Sequence, residues 1–558
     1  MTKTGAQIII ECLLEQGVDT VFGIPGGTVL NIHDALYEYK DRIKHILTSH
    51  EQGASHSADG YARTTGKVGV CIATSGPGAT NLVTGIATAY MDSIPMVAIT
   101  GNVPVPLLGR DSFQEIDITG ITMPITKHNY IVKDVTKLAD TIREAFKIAR
   151  EGRPGPVLID IPRDITIASA EYEHTVQDCS VQYENNFTTK DISTMNKLIL
   201  ESNRPVIFAG GGVISSNASN ELIEFANKIS APVTLSFMGL GAFPADNPLF
   251  LGMLGMHGTL SAANAVKHCD LLIAIGTRFS DRVIGNKTLF ANNAKILHID
   301  IDPAEINKNI NVYKCILGNV KSILEILNTK VKPKKNLDWN RTVKGYKEKY
   351  SHEKINPNEI MPKKILEKLN ELILAEDIVV TDVGQHQMWT AQFFSFLKPR
   401  TFISSGGLGT MGFGMGAAMG AKIAFPNKKV VLISGDGSFH MNLNEIATAV
   451  TNNINIVVIV MNNGVLGMVR QWQKVFFDSR YSNTTLNRKT DFVKLAQAFG
   501  AKGLRINNDS EIESVLKDAL NSNCPVIIDC IIPINDNVLP MIPPGKTLED
   551  VITTINYD

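Results

Sequence analysis

The sequence predicts an α/β protein made of three domains, each a doubly wound parallel sheet. Its 558 residues are too many for one domain with a single hydrophobic core, since domains average roughly 150 residues. Short continuous apolar runs, at 68–73 and 96–100, alternate with helix-length segments. Such runs are typical of parallel strands covered on both faces. Two polar stretches, at 164–187 and 330–355, divide the chain into three blocks.

The predicted blocks have similar lengths and end in a short tail. Residues 164–187 lack a regular spacing of apolar residues and are interpreted as a linker. The lysine-rich residues 330–355 are interpreted as a solvated boundary. Strands are expected in the second block at 205–209, 271–275 and 295–301. The predicted units are residues 1–165, 190–330 and 358–535, followed by a tail at 536–558 that is a candidate active-site cover.

The composition excludes several classes of function. The net charge is −1, from 54 Lys and Arg against 55 Asp and Glu, so no nucleic-acid partner is expected. Seven cysteines without a CxxC pair argue against a disulfide framework or a zinc site. No apolar run reaches the roughly 18 residues that span a bilayer, and no targeting segment is evident. We therefore expect a cytoplasmic protein that acts on small molecules.

The most informative motif is a Gly-Asp-Gly turn followed by two asparagines. Asp436 lies between Gly435 and Gly437 after an apolar strand, and Asn463 follows the next apolar strand, 27 positions later. A carboxylate and an amide oxygen at one sheet edge suit Mg²⁺, which completes its coordination with phosphate oxygens. The glycines allow backbone N–H groups to approach those phosphates. A Gly-Asp-Gly triplet alone would be an ordinary turn, but the paired asparagines predict a metal-bound phosphate.

This spacing resembles the fingerprint of thiamin diphosphate (ThDP) enzymes. That cofactor needs a carboxylate opposite its pyrimidine ring, and Glu51 follows an apolar segment at 43–48. The alternative is that Glu51 is only a first-turn acid, because Ser49 and Gln52 have capping-box spacing. Asp436 and Asn463 favour the catalytic interpretation.

Two further segments of the third block are expected to face the cofactor. Residues 379–387 form an apolar strand that opens into a loop, the usual phosphate-facing position in a parallel sheet, although an ordinary βα connection would look the same. Residues 405–414 contain five glycines around Met411. A methionine is usually core filler, but in a ThDP site a bulky apolar residue supports the bent cofactor.

Over nearly its whole length the chain resembles the FAD-containing acetohydroxyacid synthases, also called acetolactate synthases. The matching segments are residues 22–27, 50–54, 58–63, 74–81, 112–115, 152–156, 255–258, 278–283, 384–389 and 467–473. The resemblance implies decarboxylation of pyruvate and its condensation with a second pyruvate or with 2-oxobutyrate, the first common step of branched-chain amino-acid biosynthesis. It also implies a homodimer or dimer of dimers, joined by a small regulatory subunit.

The resemblance assigns roles to individual residues. Glu51 would hydrogen-bond to the pyrimidine ring, so that the cofactor acts as its own general base. The Gly27 N–H would stabilise an oxyanion, and Gln114 and Lys127 would lie near the substrates, although Lys127 could also be a surface lysine. Trp472 would contact the second 2-oxoacid and favour the extra methyl group of 2-oxobutyrate; the alternative is a core tryptophan.

The resemblance also implies three cofactor sites. The expected metal ligands are Asp436, Asn463 and Val465. The residues expected at ThDP are Pro77, Val383, Gly384, Gln385, His386, Gly409, Met411, Gly435, Gly437, Ser438 and Met468. Those expected at a structural FAD are Arg153, Gly210, Gly211, Gly212, Gly255, Met256, His257, Gly258, Arg278, Asp281, Arg282, Val283, Asp300 and Ile301.

Some details favour no single interpretation. The glycines at 210–212 form an incomplete dinucleotide motif, because Ser215 replaces a third glycine, and His257 could be a satisfied core histidine. The chain departs from the family at Thr28, usually Ala, and at Asn319, usually Asp near the flavin. Other possible functions are a pyruvate oxidase, a flavin-free acetolactate synthase or another ThDP-dependent carboligase. A non-catalytic binding protein would be expected to lack Glu51, Asp436 or Asn463.

Overall fold

A computed structural model describes residues 1–175, 187–352 and 361–557. Three six-stranded sheets follow one another along the chain, and every strand in them pairs in parallel with its neighbours. Helices cover both faces of each sheet, because the strands are apolar on both sides. The predicted class of three parallel α/β domains is confirmed.

The first domain contains a sheet of order β3-β2-β4-β5-β7-β6 and an antiparallel pair, β1 with β8. The predicted strands at 68–73 and 96–100 are β4 and β5. The strands are β1 (Thr2–Thr4), β2 (Thr20–Gly23), β3 (Lys44–Leu47), β4 (Gly69–Ala73), β5 (Met96–Asn102), β6 (His128–Ile131), β7 (Pro156–Pro162) and β8 (Ser169–Glu171). The helices are α1 (Gly5–Glu15), α2 (Leu30–Glu38), α3 (Glu51–Thr65), α4 (Pro77–Asn81), α5 (Val83–Asp92), α6 (Ile118–Thr122), α7 (Leu138–Arg150) and α8 (Arg163–Ile167).

The central domain contains a sheet of order β11-β10-β9-β12-β13-β14. All three strands predicted in this block are present. The helices are α9 (Thr189–Glu201), α10 (Gly211–Ser215), α11 (Ser219–Ile229), α12 (Leu260–His268), α13 (Asp281–Ile284), α14 (Val320–Lys330) and α15 (Leu337–His352). The strands are β9 (Pro205–Ala209), β10 (Val233–Leu235), β11 (Phe250–Met253), β12 (Leu271–Ile275), β13 (Lys295–Asp300) and β14 (Lys314–Leu317).

The third domain contains a sheet of order β16-β15-β17-β18-β20-β19. Its helices are α16 (Met361–Leu372), α17 (Gln385–Phe393), α18 (Phe413–Ala424), α19 (Asp436–Phe439), α20 (Glu445–Thr451), α21 (Gly467–Phe476), α22 (Phe492–Ala498) and α23 (Ile512–Leu520). Its strands are β15 (Ile378–Thr381), β16 (Phe402–Ile403), β17 (Val430–Gly435), β18 (Val457–Asn462), β19 (Lys502–Ile506) and β20 (Val526–Ile531).

The interpretation of the lysine-rich segment as a solvated boundary is wrong for most of its length. Residues 337–352 form α15, which buries Trp339 and Val343 in the core of the central domain. The Trp339 indole N–H also donates to the Pro205 carbonyl, 3.0 Å away. The expected linker is likewise ordered as far as β8, while 176–186 and the predicted start of the third block at 358 lie outside the described residues.

The tail after β20 returns to the central domain. The Ile542 N–H donates to the Met256 carbonyl at 2.8 Å, and Met541 pairs with Ile552 in a short antiparallel bridge. Within the described ranges, no helix combines the length and apolarity that crossing a membrane requires. The six described cysteines all carry free thiols.

The first and third domains meet where α3 packs against α18. A Cβ atom at Gly420 would lie 1.9 Å from the Ser57 carbonyl oxygen, and one at Gly60 would lie 2.2 Å from that of Ala417. The two helix backbones are therefore in direct contact. This contact explains why α18 is rich in glycine and alanine.

We predict that Gly420→Ala lowers the midpoint of thermal unfolding, because the added methyl group overlaps backbone that cannot move aside. Overpacking of this kind costs about 1–3 kcal/mol. The matched control is Gly345→Ala in α15, where nothing lies within 4 Å of the new Cβ and the same substitution should stabilise by about 0.4–1 kcal/mol. Equal midpoints for the two variants would contradict the direct backbone contact.

Candidate active site

The Gly-Asp-Gly turn and the asparagine pair meet at the carboxyl ends of neighbouring strands. Gly435 on β17 lies opposite Met461 on β18, so Asp436 and Asn463 follow adjacent strand ends. Both side chains line a cavity of about 80 Å³. The sequence-predicted residues that line it are Val383, Gly384, Gln385, His386, Met411, Gly435, Asp436, Gly437, Ser438, Asn463, Val465 and Met468.

The oxygen donors of this cavity are held in place. Burial raises the pKa of Asp436 to about 6. The Asn463 Oδ1 accepts from the Val465 N–H at 3.2 Å, and its Nδ2 donates to the Gln385 Oε1 at 3.3 Å. A cation in the cavity would offset the cost of burying the Asp436 carboxylate, so the donor set suits Mg²⁺.

The cavity also carries an unpartnered donor or acceptor. His386 is buried, its Nε2 has no hydrogen-bond partner in the part of the chain that the structure describes, and burial lowers its pKa to about 3. A Cβ at Gly435 would lie 2.9 Å from the His386 Nδ1, and one at Gly384 would lie 3.0 Å from its Cε1. Glycines are therefore required around this ring. A neutral imidazole beside exposed backbone fits a phosphate group bound through a metal.

The Met411 segment is fixed by a buried carboxylate that the sequence did not single out. The Asp382 oxygens accept the N–H groups of Gly412 at 2.9 Å and Gly414 at 3.2 Å. On the other side, the hydroxyl oxygens of Thr410 and Thr88 are 2.7 Å apart. Met411 is thus presented to the cavity by contacts on both flanks. Asp382 stands beside the predicted phosphate loop, but nothing in the sequence pattern distinguishes it from a turn residue.

The first domain brings together most of its own predicted residues. Glu51 is 9 % exposed and accepts a hydrogen bond from the Asn81 Nδ2 at 2.9 Å. The turn that includes Pro77 lies against it, since a Cβ at Gly78 would be 3.4 Å from the Glu51 Oε1. Glu51 is the acidic residue of the first turn of α3, but Ser49 and Gln52 do not form the expected capping box, because His50 caps the helix and its Nδ1 accepts the Gln52 N–H.

Gly27 and Gln114 border the same face. Gly27 is exposed, and nothing lies within 4 Å of a Cβ built on it. The neighbouring Thr28 hydroxyl lies 3.0 Å from that of Thr74. Gln114 has a positive φ of 58° and packs against Gly76.

Lys127 makes a different set of contacts in the single chain. Its ammonium group donates to the Ile148 and Glu151 carbonyls at the end of α7. Burial lowers its pKa to about 8. It is therefore not a free surface lysine, and its expected place near the substrates stays a prediction.

Glu51 does not reach the Asp436 cavity of its own chain. All the described residues that line this cavity belong to the third domain. Glu51 and the Asp436–Asn463 pair therefore lie at two separate places in one chain, which are called half-sites below.

A second and much larger cleft, of about 1510 Å³, lies between the three domains. Its residues come from the ends of the central strands, from the first domain and from α21 of the third. The predicted flavin residues that line it are Arg153, Gly211, Gly212, Gly255, Met256, His257, Arg278, Asp281, Arg282, Val283, Asp300 and Ile301. Of the predicted ThDP residues, Val383, Gly384, Gly409 and Met468 reach this cleft.

Gly210 and Gly258 do not line the cleft, and their glycine identity has a packing cause. A Cβ at Gly210 would lie 2.2 Å from the Gly276 carbonyl oxygen, and one at Gly258 would lie 2.4 Å from that of Met253. Both positions serve close backbone contact. The expectation that they contact a flavin directly finds no support in this geometry.

Some polar groups of the cleft are paired with neighbouring residues, and others are not. Arg153 is held by Asp302 at 3.2 Å and by Glu305 at 2.7 Å. Burial lowers the pKa of His257 to about 4, and its Nδ1 is unpartnered within the described residues. His257 is therefore not a satisfied core histidine. The Asn319 Oδ1 caps α14 by accepting the Lys321 and Ser322 N–H groups, which gives this family departure a structural role.

Trp472 lies on the wall of the large cleft, so the alternative of a core tryptophan is wrong. Its ring packs edge-on against Phe476, with 5.3 Å between centroids, and the Arg282 guanidinium lies 5.7 Å from its centroid.

The preceding residue, Gln471, is buried and was not singled out in the sequence. It binds the Val538 N–H and carbonyl of the tail at 2.9 and 3.0 Å, and no sequence pattern signals such a contact.

Comparisons with known proteins agree with this three-part architecture. Residues 3–121 match the N-terminal TPP binding domain of thiamine pyrophosphate enzymes, residues 192–327 match their central domain, and residues 382–530 match their C-terminal TPP binding domain.

Curated relatives match over almost the whole chain. A probable acetolactate synthase large subunit of Methanocaldococcus jannaschii is 47 % identical, over 99 % of this chain and 96 % of its own length. The large subunit of acetolactate synthase isozyme 2 of Escherichia coli is 44 % identical, over 99 % of this chain and 100 % of its own. An acetolactate synthase large subunit of Cyanidium caldarium is 44 % identical, over 98 % and 96 %. This chain therefore belongs to the thiamine pyrophosphate enzymes and, within them, to the acetolactate synthase large subunits.

Proposed function

We propose that this protein decarboxylates pyruvate and joins the remaining two-carbon unit to a second pyruvate or to 2-oxobutyrate. The products are 2-acetolactate and 2-aceto-2-hydroxybutyrate. The observation that carries the proposal is the presence of the Glu51 face and the Asp436 cavity in a chain of this family. Neither half-site would be needed in a protein that only binds a ligand.

ThDP and Mg²⁺ are the proposed cofactors of the smaller cavity. Asp436, Asn463 and the Val465 carbonyl would hold the metal, and His386 with the surrounding glycines would accept the diphosphate. When bound, ThDP supplies a carbon nucleophile and an electron sink for loss of CO₂.

The protein's own groups would then set protonation and charge. Glu51 would hold a proton at the pyrimidine ring, and the exposed Gly27 N–H would donate to developing oxyanions. Gln114 would orient substrate oxygens. Lys127, whose pKa is lowered to about 8 by burial, would stay cationic below that pH and attract the 2-oxoacid carboxylate.

FAD is the proposed occupant of the large cleft. The three arginines Arg153, Arg278 and Arg282 provide positive charge for its diphosphate. The reaction transfers no electrons to an acceptor, so a flavin there would have a structural role. The cleft volume of about 1510 Å³ supports a ligand of this size.

The separation of the half-sites supports an active site shared between two copies of the chain. The Glu51 side of the first domain is flanked by an unusually exposed aromatic residue, Phe113 at 88 %, which a second copy would cover. We propose a homodimer or a dimer of dimers as the active form. Since its relatives are named large subunits, a small regulatory subunit is a further proposed partner. Free thiols fit a reducing cytoplasm.

Complementation between two inactive variants tests the shared site. Glu51→Gln should lower acetolactate formation by about 100- to 10,000-fold, because the amide cannot exchange the proton, and Asp436→Ala should abolish metal-dependent activity. If equal amounts of the two variants are unfolded together and refolded as a mixture, random pairing makes about half of the dimers mixed, and each mixed dimer has one intact site out of two. Activity should return to about a quarter of the wild-type value.

The control is each variant carried through the same procedure alone, which should stay inactive. No recovery in a mixture shown to contain mixed dimers would argue that both half-sites act within one chain. Wild-type rates for Glu51→Gln would refute the catalytic role of Glu51.

We predict that the purified protein carries FAD that remains oxidised during turnover. The flavin absorbance band, followed while pyruvate is consumed, measures both points. Bleaching of the band with pyruvate would favour a pyruvate oxidase. Full activity of flavin-free protein, without gain on adding FAD, would assign the cleft to another ligand.

We predict that Trp472→Leu reduces the preference for 2-oxobutyrate over pyruvate as the second substrate. The indole offers apolar area to the additional methyl group, a contact worth about 1–3 kcal/mol. The measurement is the ratio of the two products from a mixture of both 2-oxoacids. Trp339→Leu, in the core of the central domain, is the matched control and should lower stability without changing the ratio. An unchanged ratio in Trp472→Leu would move specificity to other residues.

A further inference from the structure

A carboxylate of the third domain holds the two backbone N–H groups that precede Glu51. Glu445, the first residue of α20, accepts from the Ser49 N–H through Oε2 at 3.1 Å and from the His50 N–H through Oε1 at 2.9 Å. The partners are separated by 396 and 395 residues in the sequence. Each oxygen therefore has its own donor from another domain.

Glu445 is fully buried, and its remaining contacts hold its carboxylate against α3. Its side chain is 0 % exposed, and the Thr448 hydroxyl donates to Oε2 at 2.6 Å. A Cβ at Gly53 would lie 2.2 Å from Oε1, so only glycine allows the carboxylate to reach α3. Glu445 is not among the residues that line the cofactor cavity or the large cleft.

These contacts determine how the chain enters α3. His50 is extended, with φ −153° and ψ 146°, and its Nδ1 accepts the Gln52 N–H at 3.0 Å. The N–H directions of two successive residues fix two peptide planes, since each peptide unit is planar. They fix the two peptide units that flank Ser49, and the His50 Nδ1 bond to the Gln52 N–H then sets how the chain passes from His50 into Glu51 at the start of α3.

We propose that Glu445 is a positioning residue that sets the orientation of Glu51 toward the pyrimidine ring of the cofactor. The inference rests on the proposed function, because it requires ThDP opposite Glu51. Glu445 touches neither cofactor nor substrate and acts only through the backbone of residues 49–50.

Glu445→Gln separates this role from simple packing. Glutamine keeps the size of the side chain but replaces one acceptor oxygen with an NH₂ group, which would face a backbone N–H. One of the two N–H groups then loses its partner, and the start of α3 shifts. A displacement of about 1 Å at a reacting group can cost about 100-fold in rate.

The experiment compares Glu445→Gln with Asp270→Asn. The Asp270 carboxylate also accepts two successive N–H groups, of Asn203 at 2.8 Å and Arg204 at 3.0 Å, but entirely within the central domain. Both substitutions make the same chemical change at the same kind of contact. The first measurement is the rate of proton exchange at the thiazolium C2 of ThDP in the Mg²⁺-loaded enzyme. The second is amide hydrogen exchange of residues 49–51 in cofactor-free protein.

We expect Glu445→Gln to slow C2 proton exchange and kcat together by about 10- to 100-fold, with the KM for pyruvate nearly unchanged. Amide exchange at residues 49–51 should rise. Asp270→Asn should change neither. Equal slowing in both variants, or wild-type C2 exchange in Glu445→Gln, would overturn the proposal.

If Glu445→Gln does not fold, Thr448→Val carries the test. It removes the hydroxyl that orients the Glu445 carboxylate but leaves the carboxylate in place, and it should slow C2 exchange by a smaller factor. Wild-type exchange in Thr448→Val would then count against the proposal. Because C2 exchange needs no substrate, a wild-type protein that exchanges this proton but forms no acetolactate would refute the proposed function alone.

Discussion

The direct backbone contact between α3 and α18 is the constraint on which the candidate site depends. At Gly60 and Gly420 the two helices meet backbone to backbone, because a Cβ at either position would overlap a carbonyl oxygen of the opposite helix. Helices packed this closely cannot slide without separating, since interiors are packed at crystal density. Glu51 begins α3, and Met411 lies two residues before the start of α18. One contact therefore fixes Glu51 of the first domain and Met411 of the third domain relative to each other.

Polar contacts around this seam run in both directions. Asp92 of the first domain accepts the N–H groups of Gly406 at 3.1 Å and Gly407 at 2.7 Å in the third domain. In the opposite direction, Glu445 of the third domain accepts the N–H groups of residues 49 and 50 in the first. Arg63 pairs with Asp92 at 2.9 Å and donates to the Ser404 carbonyl at 2.8 Å. Buried charges are costly unless fully partnered. The ring of partnered groups therefore permits one relative placement of the two domains and penalises alternatives.

Sequence reasoning found those parts of the site that follow from local pattern. Asp436 and Asn463 could be placed together because parallel strand ends share an edge, and β17 and β18 occur where their apolar runs predicted. Asp382, Gln471 and Glu445 were not foreseen, because each acts by binding backbone that is distant in sequence or by filling a buried position that any turn residue could occupy. The error at residues 337–352 has a similar origin. Its many lysines suggested a solvated segment. The helix nevertheless packs on the central domain, because Trp339 and Val343 lie on one face of it and are buried.

The same rigidity has a consequence for an assembly of two chains. Within one chain the Glu51 face and the Asp436 cavity are separate half-sites, and the α3–α18 seam holds them in fixed relation. In the proposed dimer each half-site is completed by the other chain, so the seam lies between two active sites rather than inside one. The glycine contact then sets the spacing of the two sites. In that dimer, the third domain of a chain would bind one cofactor, while the Glu51 of the same chain would serve the other cofactor. Glu445 connects the two, because it lies in the third domain and holds the backbone of residues 49–50.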